Sequence, residues 1–288
     1  MQILESIRAH LQSRKSLRKI VYAVAAAYVV LCAYFYIWQE SHLVEPDVDP
    51  TGMTASDYEG NVERFTLPKV NGDDGEIHYR KYSTPIMPKK GTVFYLHGNR
   101  GDMDRCEWEI DLLLDRGYDV WTMDYRGFGD SIGTLSEAAL KEDARKVFAQ
   151  IVPDDPDKPI IVWGRSFGSG VAASVAASAA QKPEMLVLET PYWSLIDLGQ
   201  QRCPIIPSVL FRYELPVHKF LKDAGCPIHL IHGTQDEKID SSASDRLLEF
   251  CRANAIDAKG HSIMCGMHNL RDKKTITDFD EKVSSILK

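Results

Sequence analysis

Two kinds of chemistry are missing from this sequence. No GxxxxGK[ST] phosphate loop occurs, and no Cys/His spacing matches a zinc site. No cofactor and no metal is therefore implied. Basic charge is scarce as well. The chain carries 34 Lys and Arg against 41 Asp and Glu; its first nineteen residues hold five and one of these, which leaves residues 20–288 with 29 against 40, a net of −11. A surface of that sign disfavours a phosphate backbone, and no basic and aromatic interleaving offsets it, so nucleic acid is not an expected partner.

Charge of either sign is absent from Ile20 to Trp38. Nineteen uncharged residues rising about 1.5 Å each are long enough to cross a hydrocarbon core of about 30 Å. Tyr34, Tyr36 and Trp38 crowd one end, as interfacial aromatics do. The run exceeds the ~7 to 15 residues of a signal-peptide core, and no small-x-small cleavage site follows it. Residues 20–38 therefore read as an uncleaved transmembrane anchor. Arg8, Arg14, Lys15, Arg18 and Lys19 precede it, whereas seven acids from Glu40 to Glu63 follow before the first base, Arg64. This asymmetry predicts that residues 1–19 are cytoplasmic and that everything after the span lies on the other side, periplasmic or lumenal and extracellular. Ile3, Leu4, Ile7 and Leu11 give the first segment an apolar stripe suited to the inner leaflet. Residues 39–61 read as an acidic, proline-containing tether.

From residue 62 to 288 the pattern alternates. Apolar strand-like runs at Val93–Leu96, Val120–Met123, Ile160–Trp163, Met185–Leu188, Ile228–His232 and Ala258–Met264 are interleaved with helical patterns near Arg105–Arg116, Ser136–Ile151 and Ser169–Ala180. Alternation of this kind predicts an α/β fold, a mostly parallel sheet with helices on both faces. Val62–Leu67 and Ile77–Tyr82, separated by Asn71-Gly72-Asp73-Asp74-Gly75, read as leading antiparallel strands. About 37 residues, 190–226, intervene before the strand at Pro227 and form a short lid insert. Its apolar residues, among them Tyr192, Trp193, Ile205, Leu210 and Phe211, suit either a wall for an acyl chain or ordinary packing on the core.

The chemistry-bearing motif is Gly164-Arg165-Ser166-Phe167-Gly168, directly after Ile160-Ile161-Val162-Trp163. A serine between glycines at a strand-to-helix junction suits a sharp turn that exposes its hydroxyl, with Gly164 and Gly168 easing the approach of helix and strand. GxSxG alone is a weak signal. A hydroxyl is a poor nucleophile at neutral pH and needs a histidine base whose tautomer a carboxylate holds. Asp236 stands in the turn after Ile228–His232, with Glu237, Asp240 and Glu189 as alternatives. His268 stands on the loop after the last strand, with His261, inside that strand, as its rival. Backbone N–H groups must hold the oxyanion that develops at the carbonyl. Phe167, after the serine, supplies one, and Asn99, in the loop His97-Gly98-Asn99-Arg100-Gly101, the other. His97 reads as a brace for that loop. Asp124 and Arg126, in a glycine-rich loop, read as structural charges pairing with each other or with backbone.

These segments, Leu96–Asn99, Asp124–Ser131, Gly164–Gly168, His232–Glu237 and His268-Asn269, resemble in order and approximate spacing the α/β-hydrolases of the serine hydrolase type, and among them the Bem46-like and ABHD13-like hydrolases. The resemblance covers roughly residues 62–288. It implies an α/β-hydrolase fold with Ser166 as nucleophile and Asp236 and His268 as its partners. Arg165 departs from the pattern, where a neutral residue is expected. The expected activity is hydrolysis of carboxylic esters or thioesters beside a membrane, with lipid or acylated protein as substrate. A serine peptidase of the same fold, and a non-catalytic binding module on it, are the alternatives. The second is disfavoured because the Ser, Asp and His set is intact. Six cysteines fit an oxidising compartment. Cys32 lies in the span; Cys203 with Cys226 would clip the insert and Cys251 with Cys265 would tether the His268 loop, while free buried thiols are the other reading, as they are for Cys106.

Overall fold

The computed structural model describes residues 2–43, 62–67, 74–152 and 158–287, with the side chains of 2–13, 42 and 43 left aside. One helix, α1, runs unbroken from Gln2 to Leu43. It contains a stretch, Arg14–Ser41, whose apolar window of 18 residues has a mean hydropathy of 2.2 and is not buried by the rest of the protein. By length and composition it is able to cross a membrane. The helix continues through residues 39–43, where a tether was expected to begin; the rest of that tether, 44–61, and the apolar stripe at residues 3–11 lie outside the described residues and side chains.

The remainder is built on an eight-stranded sheet. Its strands are β1 (Val62–Leu67), β2 (Ile77–Tyr82), β3 (Gly91–Leu96), β4 (Tyr118–Met123), β5 (Ile160–Arg165), β6 (Met185–Glu189), β7 (Ile228–Gly233) and β8 (Ala258–Ile263), in the spatial order β1-β2-β4-β3-β5-β6-β7-β8. β1 and β2 pair antiparallel, β2 pairs antiparallel with β4, and all pairs from β4 to β8 are parallel. Asn71 to Asp73, in the turn expected between the first two strands, lie outside the described residues. The central strands are buried on both faces, which explains why they read as continuous apolar runs rather than as alternation.

Strand period still divides the core. Ile160 and Val162 of β5 face one side, with Leu140 and Phe148 of α3 (Glu137–Ile151) and Val171 and Val175 of α4 (Phe167–Ser178). Ile161 and Trp163 face the other, with Ile110 and Leu113 of α2 (Glu107–Leu114) and Phe279 and Val283 of α8 (Ile276–Ile286). Ser136 caps α3 by accepting from Ala139 N–H at 3.1 Å. The small-residue helix starts at Phe167, two residues earlier than its composition suggested, because the chain turns immediately at Ser166.

Between β6 and β7 the insert holds α5 (Leu195–Arg202), a 3-10 turn at Ser208–Leu210 and α6 (Val217–Leu221). α7 (Ser242–Ala253) follows β7. All six cysteines are free thiols, so neither Cys203 with Cys226 nor Cys251 with Cys265 is joined. Burial pushes the Cys226 and Cys251 thiols up to about 11, which keeps both protonated at neutral pH.

Candidate active site

Ser166 sits where β5 hands over to α4, with φ 51° and ψ −119°, a left-handed φ that side chains other than glycine rarely adopt. Glycine on either side is a packing requirement. A Cβ on Gly164 would stand 2.2 Å from Gly168 O and 2.5 Å from Ala172 Cβ, and one on Gly168 would stand 2.1 Å from Leu96 O. Only bare backbone lets α4 lie this close to β3 and β5 while the serine is pushed out at the tip.

The loops after β7 and β8 converge on that tip. His268 Nε2 lies 3.0 Å from Ser166 Oγ, and His268 Nδ1 lies 2.9 Å from Asp236 Oδ2 and 3.1 Å from Oδ1. Three residues separated by up to 102 positions thus form one hydrogen-bonded line. Asp236 is itself tightly held: Oδ1 accepts from Lys238 and Ile239 N–H, both at 2.8 Å, and Oδ2 lies 3.2 Å from His232 Nε2. Burial opposes its ionisation, but hydrogen bonds from His232, His268 and Ile239 N–H outweigh that and hold the carboxyl well below the usual range. His232, whose Nδ1 meets Ser244 Oγ at 2.7 Å, is a support that the sequence quoted only as part of a motif.

The rival residues are elsewhere. His261 stacks on His229 with 2.8 Å between ring nitrogens, on a face of the sheet at β7 and β8. Glu237 accepts from His268 N–H at 3.0 Å and fixes the loop rather than the ring, and Asp240 accepts from Ser242 N–H at 2.9 Å. Glu189 lies in a cluster below the serine. Arg271 donates to both its oxygens at 2.7 and 3.0 Å and lies 3.2 Å from Glu109; Arg165 lies 3.3 Å from Glu189 and 3.4 Å from Glu109. Trp163 Nε1–H donates to Glu189 at 3.2 Å. Burial pushes the Glu189 carboxyl up, but Arg271 and Arg165 hold it below its ordinary value. Arg165, the odd residue of the turn, is thus tied into an ion cluster with its side chain about a quarter exposed. The cluster escaped sequence reading because its members come from α2, β5, β6 and the loop after His268. The in-register pairing of Arg165 with Glu189 across β5 and β6 was the one signal available, and it requires knowing which strands are neighbours.

His97 braces its loop as expected: Nδ1–H donates to Gly98 O at 2.7 Å, the ring lies 4.3 Å from that of Tyr125, and Tyr125 OH donates to His97 O at 2.9 Å. Arg126 does not pair with Asp124. Its guanidinium forks onto Asp143 at 2.7 and 3.0 Å and reaches Asp74 at 3.2 Å, while Asp124 accepts from Met103 N–H at 2.8 Å.

Two clefts open onto Ser166, and Asn99 and His268 line both. One, of about 630 Å³, runs past Arg100, Arg105, Trp108, Arg165 and Asn269. The other, of about 260 Å³, is walled by Phe167, Tyr192, Leu195, Leu198 and Ile239. Phe167 is the first residue of α4, where a backbone N–H has no partner within the helix. Among the described residues no group of acids, histidines and cysteines is arranged to hold a metal.

Comparison with known proteins accords with this geometry. Residues 87–211 match the family model Hydrolase_4, described as serine aminopeptidase, S33. The lysophosphatidylserine lipase ABHD12 of Mus musculus is 31% identical over 178 residues, covering 54% of this chain and 44% of that protein. The chain thus spans about half the length of the curated relatives it matches. Among solved structures, the Pyrococcus furiosus esterase Pf2001 superposes with a TM-score of 0.67 at 19% identity, over 85% of this chain and 97% of that one. A carboxyl esterase from Bacillus coagulans does so with 0.64 at 15% identity, over 78% and 97%. The parallel sheet with its antiparallel leading strands, the glycine-flanked serine turn after β5 and these matches together show that the chain has the α/β-hydrolase fold.

Proposed function

We propose that the protein is a membrane-anchored serine hydrolase that cleaves the carboxylic ester or thioester of an acyl lipid through Ser166, His268 and Asp236. The observation that carries this reading is His268 bridging the other two at 3.0 and 2.9 Å. Asp236, fixed by four donors, accepts Nδ1–H of His268 and leaves Nε2 as the base facing Ser166 Oγ. Ser166 attacks the acyl carbonyl as His268 takes its proton. The oxyanion is held by the N–H groups of Phe167 and Asn99, each such donor being worth about 2.7 to 4 kcal/mol. His268 then gives the proton to the leaving alcohol or thiol. A water activated by the same ring releases the acid from Ser166.

An ester-lipid substrate is supported by the ABHD12 lipases among the relatives and by the unequal clefts at Ser166. The smaller one offers Leu195, Leu198 and Ile239 to an acyl chain, and the larger offers guanidinium groups and Asn269 to a polar leaving group. The family description favours one second reading, a serine peptidase. In the membrane, α1 spans with residues 1–19 on the cytoplasmic face and the hydrolase domain, residues 62–288, on the other.

Fluorophosphonate labelling tests the assignment. Wild-type protein takes the label and Ser166→Ala does not, and in sealed right-side-out vesicles a membrane-impermeant probe reaches Ser166 without detergent. Folded wild type that stays unlabelled in detergent refutes the enzyme; labelling only after permeabilisation refutes the orientation. Turnover of aminoacyl amides in preference to esters of rising chain length supports the peptidase instead.

A further inference from the structure

Resting on that reading, we infer that the insert between β6 and β7 is a second membrane-embedded element, and that the cleft it forms with α1 takes the acyl chain of a bilayer lipid laterally to Ser166.

From Cys203 to Phe211 the insert carries no charged residue, and it is bracketed by Arg202 and Arg212. Ile205 is 61% exposed and Val209 83%, two aliphatic side chains open to the surroundings in an uncharged segment that contains prolines 204 and 207. This segment lies along the apolar helix. Tyr28 OH donates to Ile205 O at 2.8 Å, Gln39 donates to Leu210 O at 3.0 Å and accepts from Arg212 N–H at 2.8 Å, and the rings of Phe35 and Phe211 meet edge to face at 4.9 Å. Tyr28 and Gln39 are eleven residues apart, about 16 Å along a helix axis. If α1 crosses the membrane over Ile20–Trp38, the insert follows it about half-way through the hydrocarbon. The charged boundary is where it should be: Arg212 pairs with Glu40 at 2.9 Å and Tyr213 OH donates to Glu40 at 2.7 Å, one turn above Tyr36. Hydrogen bonds from Tyr28 and Gln39 satisfy insert carbonyls that lipid cannot, which irregular backbone at that depth requires.

Behind this contact lies a cleft of about 180 Å³, lined by Phe35, Gly199, Cys203 and Phe211. Leu195, Leu198 and Arg202 of α5 line it too, and the same three residues wall the smaller cleft at Ser166. α5 is therefore the wall that both clefts share, and the proposed path from the helix in the bilayer to Ser166 runs across it. Gly199 keeps that path in register: a Cβ there would stand 2.1 Å from the Phe211 ring. A monoacyl or diacyl ester in the outer leaflet reaches Ser166 by sliding one chain between α1 and α5, with its headgroup passing to the polar cleft.

The test is a hexadecyl fluorophosphonate bearing a diazirine near the chain end, reacted with the full-length protein in phospholipid vesicles and then irradiated. Cross-links from Ser166 to peptides containing Phe35 or Phe211 are expected. Cross-links confined to the Trp108 side overturn the route, while absence of label on Ser166 overturns the hydrolase reading itself. In parallel, Val209→Asp, which lines neither cleft, is expected to slow hydrolysis of a long-chain ester in vesicles at least tenfold and that of a soluble butyrate ester less than twofold. Equal rates in vesicles refute the embedded insert, and so does an equal loss on both substrates.

Discussion

Replacing Asp236 by Asn changes one atom, and the structure dictates which way the amide must sit. Oδ1 receives two backbone N–H groups at 2.8 Å, so the amide oxygen has to occupy that position. The NH2 group then falls where Oδ2 was, 2.9 Å from His268 Nδ1 and 3.2 Å from His232 Nε2. A donor at that point makes Nδ1 of His268 an acceptor and places the ring proton on Nε2, facing Ser166. The histidine then donates to the serine instead of deprotonating it. For this wrong-tautomer outcome the expected fall in kcat is about 10^3- to 10^4-fold, equivalent to about 4 to 5.5 kcal/mol in the barrier. The clash of two donors near His232 costs a further ~1 to 3 kcal/mol of stability, or a Tm lower by roughly 2 to 12 °C at this domain size. Asp236→Ala lacks the misplaced donor, leaves His268 free to adopt either tautomer, and should be the faster of the two. Steady-state hydrolysis of a p-nitrophenyl ester with parallel thermal melts measures all of this. An Asn variant within tenfold of wild type, or one faster than the Ala variant, refutes the argument from donor placement.

Two other expectations follow from buried charge. Arg271→Met strips Glu189 of its bidentate partner, and an uncompensated buried carboxylate costs about 3 to 5 kcal/mol. Because Glu189 titrates below its ordinary value in the fold, its pairing contributes fully above the unfolded pKa and is lost as pH falls through the folded one. The stability deficit of the variant, from urea unfolding, should therefore be larger at pH 7 than at pH 3, below the ordinary glutamate value of about 4.3; equal deficits contradict the role given to Glu189. Asp124 has the opposite sign. Burial lifts it to about 7, against the hydrogen bond from Met103 N–H, so its ionisation destabilises the fold increasingly as pH climbs from about 4 to 7. Asp124→Asn keeps an oxygen for Met103 and should gain about 2 to 3 kcal/mol on wild type between pH 5 and pH 8. An offset independent of pH rules out a neutral Asp124.

What the sequence made legible was local. Glycines two residues either side of Ser166 announce a tight turn because the need for them is steric and lies within one strand and one helix. Strand and helix alternation announced the parallel sheet for the same reason, since each apolar run carries its own period. His268 and Asp236 were legible through chain order after the serine, while the bond between them depends on β7 and β8 being neighbours. His232 and Arg271 were not legible. Each acts on a group that the folded loops bring near, and a histidine four residues before the aspartate, or an arginine three residues beyond His268, carries no local mark of its partner.

Arg165 shows what that loss conceals. As the second residue of the serine turn it stood out as a charge where a neutral residue was expected. The fold instead sets it against Glu189 in the adjacent strand and Glu109 in α2, with Arg271 completing a set of two carboxylates and two guanidiniums. Such a set adds no net charge beside the imidazolium that the proposed proton transfer would form at His268. It nevertheless joins β5, which leads into Ser166, to the loop that carries His268, because Arg271 stands three residues beyond that ring. A neutral residue at 165 would leave Glu109 and Glu189 sharing one guanidinium, a buried net negative charge. The departure from the expected pattern is thus the compensation that two buried acids beneath the serine require.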